Sequence, residues 1–502
     1  MILRATLLVM ALCLSLPAHA AGWLRAESEH YVVHAEISEA ELRELMQTLE
    51  DFGRVLDIVL PGETEPGRKL ELFLAPNASQ VSRVTNLRLS GVGAGGAEVP
   101  VAYVAYDYGK DARRRAGDLF FYLGSYHLGY KFFRPHPLWV RIGFSDFFRT
   151  AWRDEAGDFI LGQPAPAIER RRNVSVADLQ HALTHPDTPD KQAEFERFYA
   201  TSAALVAPLL IDPELRGVLA GYLDAYVSGA NMEAAARTLG EPEALAKLIA
   251  RRASARTVPM RRVGLTPAEP ATITITPIQA DSIALVEPRI ERLLDERRDE
   301  VSARLLALTI RHPESAPVWY EYAAAEYAWV QYSDFGEKPL LRGFGFANGN
   351  LIVTANPYSD AEAWRAVNKA LAIDPGHAQA QRLKAEIMLA RAVRAGELAE
   401  PQEYDAARAL LAPLARDPRR HPLAAALHYQ SYIEQGRDPP EEAILWLGQA
   451  FITNAGVADF RYAYAVALSR AGKTEVARSL LTSMLNHPDF AEASRRALEA
   501  AP

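Results

Sequence analysis

The side chains whose types and spacing could do chemistry cluster between residues 118 and 155 of this 502-residue chain. His127 and His136 lie nine residues apart. Two imidazoles with no third donor at a useful spacing are a weak basis for a metal centre, because zinc takes at least three protein ligands in a catalytic site. Tyr122, Tyr126 and Tyr130 recur at four-residue steps. On a helix they would share one face, either as an aromatic stripe packed into a core or as a lining that meets a bound peptide. Asp118 and Asp146 are single acids, and Asp154-Glu155 is an adjacent carboxylate pair of a kind common on surfaces. No G-x-S-x-G elbow is present to present a nucleophilic serine. Cys13, the only cysteine, lies in an N-terminal apolar run, so a processed chain has neither thiol nor disulfide chemistry. The run from Gly91 to Gly96 lacks the G-K-[ST] ending and following helix of a phosphate loop, and reads as a flexible loop.

The segment Pro137-Leu138-Trp139-Val140-Arg141-Ile142-Gly143-Phe144, continuing through Ser145, Asp146, Phe147 and Phe148, resembles the P-x-W-x-x-E-G-[FL]-A-E-[YF]-F stretch of gluzincin zinc peptidases. The stretch from Phe198 and Tyr199 through Ser202 to Leu205 is similar to the F-Y-x-x-S-W-A-L-V helix that follows the active site in gluzincin-like proteins, with Ala203 at the Trp position. The resemblance spans residues 22–252. It implies an α+β domain in which two histidines one helical turn apart, a glutamate beside the first and a glutamate from a later helix would hold zinc and activate its water. The departures fall on those positions. Ile142 stands where the third ligand would be, and Ser145 replaces the usual Ala. The family's spacing from Trp139 puts the two histidine positions at Tyr122 and Tyr126 and the general base at Leu123. The resemblance therefore implies a peptidase frame with a degenerate site, no metal and no cofactor. The alternative is a divergent zinc metallopeptidase with non-standard ligands, for which His127 is the ligand to nominate; otherwise His127 is a helix histidine that needs only a hydrogen-bond partner.

Several elements must position these residues. His30–His34 is a short β-rich run, and Lys69–Leu74 and Val101–Tyr106 alternate as strands do. Ser38 and Glu41 form a capping box ahead of a helix bearing Leu42, Leu45, Leu49, Phe52 and Leu56. From Arg113 to about Ser254 the pattern is mostly helical, with a small hairpin or turn over 157–166. Residues 253–283 carry Pro259, Pro267, Pro270 and Pro277 around an alternating Thr272–Thr276, which reads as a linker with one strand. Ala-rich sequence then repeats. Pro418, Asn454 and Pro488 each follow a helix of related pattern, at steps of 36 and 34 residues, close to the tetratricopeptide period of ~34. Residues 363–375 and 464–488 are the best matches, and an insert from Gly336 to Asp360 interrupts the array. A generic series of α-hairpins is the other reading. The expected organisation is a signal peptide (1–20), a gluzincin-like pseudo-peptidase domain (21–252), a linker (253–283) and a tetratricopeptide-like all-α array (284–502).

Residues 1–20 have a basic residue, an apolar run and Ala18-His19-Ala20, the layout of a cleaved secretory signal. The run is shorter than the ~20 residues a membrane span needs. Export to a bacterial periplasm or beyond is the expectation. The net charge of -8 gives no electrostatic attraction for nucleic acid. Arg113–Arg115 and Arg170–Arg172 read as solvated faces, or as contacts for an acidic partner. Stacked helix pairs offer concave faces for peptides and proteins, with Trp319, Tyr320, Tyr322, Tyr429, Tyr432, Tyr462 and Tyr464 on the first helices of the repeats as the candidate partner-binding region. Together these features predict an exported, non-catalytic binding or scaffold protein, or one whose first domain is only a platform for the repeats.

Overall fold

The structure is a computed structural model. It describes residues 22–500 apart from 62–67, 86–88, 95–97, 107–115, 164–173, 186–191, 255–259, 267, 295–296, 336–345, 348–349 and 352–359. The N-terminal apolar run, both arginine runs and most of the 336–360 stretch lie outside the described residues.

The chain begins with β1 (Leu24–Glu27), β2 (Tyr31–Ala35), α1 (Glu39–Val59), β3 (Leu70–Ala75), α2 (Ala78–Thr85), β4 (Gly91–Ala94) and β5 (Val101–Ala105). Helices α3 (Gly117–Tyr130) and α4 (Leu138–Arg149) follow, then β6 (Trp152–Arg153) and β7 (Phe159–Leu161). Five helices come next: α5 (Val176–Thr184), α6 (Gln192–Ile211), α7 (Pro213–Val227), α8 (Met232–Arg237) and α9 (Pro242–Ser254). Strands β8 (Arg261–Val263) and β9 (Thr274–Pro277) close this part.

Six strands form one mixed sheet in the order β4-β5-β3-β2-β1-β9. β2, β3 and β5 run parallel, while β1, β4 and β9 pair antiparallel with their neighbours. Helix α1 starts where the Ser38 hydroxyl accepts the Glu41 N–H, satisfying one of the free donors of the first turn. Its stripe of Leu42, Leu45, Leu49, Phe52 and Leu56 is buried, as the periodicity predicts. Phe52 stacks on Phe120 with centroids 3.9 Å apart and meets Phe148 edge-on at 5.7 Å. Burying a ring of this size contributes about 1.5–3 kcal/mol, and here it ties α1 to α3 and α4 at once.

Two sequence expectations change. Gly91–Ala94 is an edge strand and not a loop: its glycines leave room for Tyr122, whose ring lies 2.7 Å from where a Cβ on Gly91 would sit. The 253–283 stretch carries two strands and not one. β8 completes a three-stranded sheet with β6 and β7, and β9 extends the main sheet beside β1. Backbone pairing, invisible in a Pro-rich composition, makes this segment part of the first unit.

The rest is helical: α10 (Ala280–Leu294), α11 (Arg298–Arg311), α12 (Ala316–Phe335), then a two-residue pairing of β10 (Phe346–Ala347) with β11 (Asn350–Leu351). It continues with α13 (Ala361–Ile373), α14 (Ala378–Ala395), α15 (Pro401–Ala415), α16 (Pro422–Glu434), α17 (Glu441–Ile452), α18 (Ala458–Arg470), α19 (Thr474–Thr482) and α20 (Ala491–Ala500). Each helix packs on the next. Small residues such as Ala363, Ala366 and Ala370 of α13 are buried at the seams and let the helices approach closely. Gly436 and Gly472, at φ 70° and 73°, supply the left-handed residue that ends α16 and α18.

The array touches the first unit at both its ends. At the start, Val286, Ile290 and Leu293 of α10 share a core with Phe73, Val81, Val84 and Tyr103. A buried ion network adds to it. Arg292 donates to Glu321 at 2.6 Å and to Glu98 at 2.8 Å, Tyr320 donates to Glu98 at 2.9 Å, and Arg289 lies 3.0 Å from Glu71, which also meets His34 at 2.8 Å. Burial alone would raise both glutamates; Arg289 beside Glu71 and Arg292 beside Glu98 instead pull each down to about 2. At the far end, Phe133 packs on Phe451 at 5.8 Å, Arg68 donates to Asn454 at 2.8 Å, and the Asn486 amide donates to the carbonyls of Tyr226 and Ala230 at 3.1 and 2.7 Å.

Candidate functional site

Helices α3, α4 and α6 carry the residues around Trp139 and Tyr199 named above, and they pack on one another. Gly143 permits it: a Cβ there would sit 2.3 Å from the Ser202 carbonyl oxygen, so α4 and α6 meet backbone to backbone. Trp139 is buried and its indole N–H donates to the Tyr222 hydroxyl at 3.0 Å. The Tyr199 hydroxyl donates to Asp146. Burial raises the Asp146 carboxyl, while nearby Arg149 opposes the shift. Arg149 also pairs with Asp118 at 3.2 Å and lies 4.6 Å over the Phe121 ring. Thus Trp139, Gly143, Asp146, Tyr199 and Ser202 brace two helices, and the two acids nearest the frame are already paired.

The four positions at which the resemblance would put metal chemistry are aromatic or aliphatic and enclosed. Tyr122 is covered by Gly91 and Gly93 of the edge strand. Burial raises its phenol above the ordinary range. Leu123 is fully buried in the main core. Tyr126 is buried, its hydroxyl donating to the Arg68 carbonyl, and its ring lies 4.9 Å from that of Tyr130. Ile142 is half-buried against the same core as Leu123. The tyrosine stripe is therefore packed inside the molecule, with Tyr130 reaching the helical array's core as well.

His127 is buried, with Nε2 2.8 Å from the Leu60 carbonyl and Nδ1 3.7 Å from Asp57. His127 and His136 each meet the ring of Phe132 edge-on, at 5.8 and 5.9 Å. An aromatic ring thus packs against both imidazoles where a shared metal would need open donors. Among the described residues no group of three or more His, Cys, Asp or Glu side chains could hold a metal ion, and no helix is long and apolar enough to cross a membrane.

The aromatic residues nominated as partner contacts on the array lie mostly in its seams. Trp319, Tyr322 and Tyr429 are buried. The Trp319 indole donates to the Pro313 carbonyl and the Tyr322 hydroxyl to Glu362, both at 2.9 Å. Tyr432 and Tyr464 are half-buried. Arg408 lies 4.5 Å over the Tyr432 ring, and Tyr464 stacks on Phe451 at 5.7 Å and covers Gly448. Large rings at close-packed helix pairs satisfy the core first, so these side chains hold the array together and do not form an open face.

A different set of residues lies near the junction of the two units, where the Tyr226 hydroxyl donates to the Asn486 carbonyl and Tyr130 packs on the array's core. From the first unit come Tyr130 at the end of α3, His136 in the turn before α4, Arg141 on the first turn of α4 and Tyr226 near the end of α7. From the array come Asp459 at the start of α18 and His487 in the turn before α20. Tyr130, His136, Asp459 and His487 are half-buried and Arg141 is exposed. Yet enclosure by protein is the leading influence on the ionisation of all five: it raises Tyr130, lowers Arg141, drives His136 to about 3 and His487 to about 4, and lifts Asp459 to about 7. Arg141 sits among them, within electrostatic reach of Tyr130, Tyr226, His136 and His487. Sequence reasoning passed over Arg141 although it adjoins Ile142, because nothing in the chain's periodicity shows that the array comes back to face it.

Comparisons with family models, with curated proteins and with solved structures return no match to this chain.

Proposed function

We propose that this is an exported, non-catalytic binding protein, in which a degenerate gluzincin-like domain and a tetratricopeptide-like array together form the binding surface. The observation that carries the reading is the environment of Tyr122, Leu123, Tyr126 and Ile142. Each of these side chains is packed against protein, and none is a metal donor of the kind hydrolytic zinc needs. The remaining histidine of α3, His127, spends a ring nitrogen on the Leu60 carbonyl. A peptide or protein partner would be read on the outer surface of the two units rather than on the buried faces of the repeats.

The test is the metal content of the purified protein by elemental mass spectrometry after dialysis without chelator, paired with hydrolysis of a mixed peptide library. The expected result is zinc far below one equivalent and no cleavage sensitive to chelator. Stoichiometric zinc with chelator-sensitive cleavage that is lost in His127→Ala would replace this reading with a divergent metallopeptidase.

A further inference from the structure

Helix α5 and its C-cap carry two histidines four residues apart, His181 and His185. Four residues are close to one helical turn, so both side chains leave the same face. Their rings lie 4.1 Å apart at 31°. Both are exposed, while Leu179, Ala182 and Leu183 of the same helix are buried. The helix is held by packing against α6, α8 and α9. A capping box fixes its start: the Ser175 hydroxyl accepts the Asp178 N–H and the Asp178 carboxylate accepts the Ser175 N–H. The imidazole pair therefore stands on a braced turn at the protein surface.

The hydrogen bonds leave metal-binding atoms unspent. His185 donates its backbone N–H to the His181 carbonyl at 3.0 Å, and its Nδ1 lies 3.2 Å from the same oxygen. The Thr184 hydroxyl, whose own proton goes to the Gln180 carbonyl at 2.7 Å, lies 3.2 Å from Nδ1 as well. Both oxygens can only accept here, so Nδ1 carries the proton and Nε2 keeps its lone pair. Metal-binding histidines are ordinarily braced in this way, with one ring N–H on a carbonyl and the other nitrogen left for the ion. No hydrogen bond engages the His181 ring among the described residues. Partial burial and the neighbouring His185 lower the His181 imidazole, which keeps it an unprotonated donor at neutral pH. Asp178 and Glu194 bring negative charge to this face, and Arg197, 3.9 Å from Asp178, opposes them. The pair also sits at a helix C-terminus, where free carbonyls favour a cation.

We infer that His181 and His185 form a two-histidine surface site for a divalent transition-metal ion, copper(II) in preference to zinc. Two nitrogens on one ion at ~2.0–2.1 Å stand about 3 Å apart, which a small rotation of rings already 4.1 Å apart supplies. Copper(II) suits imidazole ligands in a tetragonal arrangement and heads the divalent affinity order. Water fills its remaining positions. Zinc calls for a third protein donor, and no group of three is at hand among the described residues. The residue after His181 is Ala182, so no glutamate stands where a hydrolytic site would hold its base. The inference goes beyond the binding-protein reading and is independent of the degenerate positions around Trp139.

The experiment is isothermal titration of the full processed chain with copper(II) chloride and, separately, with zinc chloride, in a buffer that does not bind metals. It is repeated on His181→Ala, His185→Ala and the double variant. One equivalent of copper is expected to bind, more tightly than zinc. Each single variant should weaken copper by about tenfold or more, because the second imidazole no longer adds its intramolecular contact. Substoichiometric copper should broaden the ring proton resonances of His181 and His185 before those of other histidines, which locates the ion. Both positions are exposed and alanine favours helix, so matching thermal melts are expected and keep a loss of binding from being a loss of fold. Copper binding of equal strength in the single variants and the parent, broadening led by another histidine, or tighter binding of zinc than of copper would each overturn the assignment. A peptidase zinc centre would survive both substitutions and be lost in His127→Ala, so the two readings fail separately.

Discussion

The backbones of Gly129 and Gly456 touch. A Cβ on Gly456 would lie 1.6 Å from the Gly129 carbonyl oxygen, so the end of α3 and the turn between α17 and α18 meet with no side chain between them. Gly456→Ala must push the turn away from α3. Overpacking of this kind costs about 1–3 kcal/mol. The expected outcome is a lower midpoint in urea and faster proteolysis near the α17–α18 turn, with α-helix content by circular dichroism unchanged. A variant as stable as the parent would show that the contact is not a seam.

Arg292 links Glu98 to Glu321 inside the other junction. Arg292→Ala leaves both carboxylates enclosed with one fewer partner, and breaking a buried pair from one side costs about 3–5 kcal/mol. Arg292→Met combined with Glu98→Gln should cost clearly less, because it removes charge from both sides. Chemical denaturation of both variants checks the order. If the single variant is the milder one, the network contributes no stability.

Acid should loosen the protein through His136 and His487. In the unfolded chain both titrate near 6.5, whereas the folded values are about 3 and about 4. Above pH 6.5 both rings are neutral in either state and nothing is lost. As pH falls below 6.5 the unfolded chain takes up protons that the folded chain does not, so stability declines, and it continues to decline to about pH 4. Both rings are half-buried, and solvent screening holds the effect to at most about 1 kcal/mol per pH unit for each. Glu71 and Glu98, held near 2, add a second loss as pH falls through the ordinary carboxylate range. Urea midpoints from pH 7.5 to 4.5 should fall for the parent and fall less for His136→Phe.

Asp459 has the opposite sign. Its folded value near 7 exceeds the ordinary 3.8 because burial comes first and Asp489 adds to it. Between pH 3.8 and 7 the folded chain keeps a proton the unfolded chain releases, so this residue costs stability as pH rises. Asp459→Asn should raise the melting temperature at pH 8 and make no difference near pH 3.5. A gain that is the same at both pH values would mean that the carboxylate is not what matters.

Much of the first unit was legible in the chain because its signals are local. The α1 stripe, the alternation of β3 and β5 and the Phe198–Leu205 helix depend on periodicities of two and 3.6 that survive without their neighbours. The helical hairpins after residue 280 were legible for the same reason. β4 and β8 were not, since strands this short are defined by the strand beside them; β9 was legible as the alternating run at 272–276, but its place beside β1 was not. The candidate site divides in the same way. Positions 122, 123, 126 and 142 could be named from the residues around Trp139, but not the packing that encloses them. The junction between the units escaped altogether because Tyr226 and Asn486 are 260 residues apart in sequence, and no local pattern relates them. Which rings of the candidate partner-binding region are core was not legible either: Trp319, Tyr322 and Tyr429 are buried, and an aromatic ring looks the same in a sequence whether it faces a partner or the next helix.

Strand β9 has a consequence for the mechanics of the whole chain. It leaves the array's first helix fastened to one edge of the sheet, while Gly456 and Asn486 fasten the far end to α3 and α7. A spring held at both ends has a single rest length. The series of helices here cannot slide along its length without prising one anchor loose, so anything that tightens the far anchor stiffens the helices between.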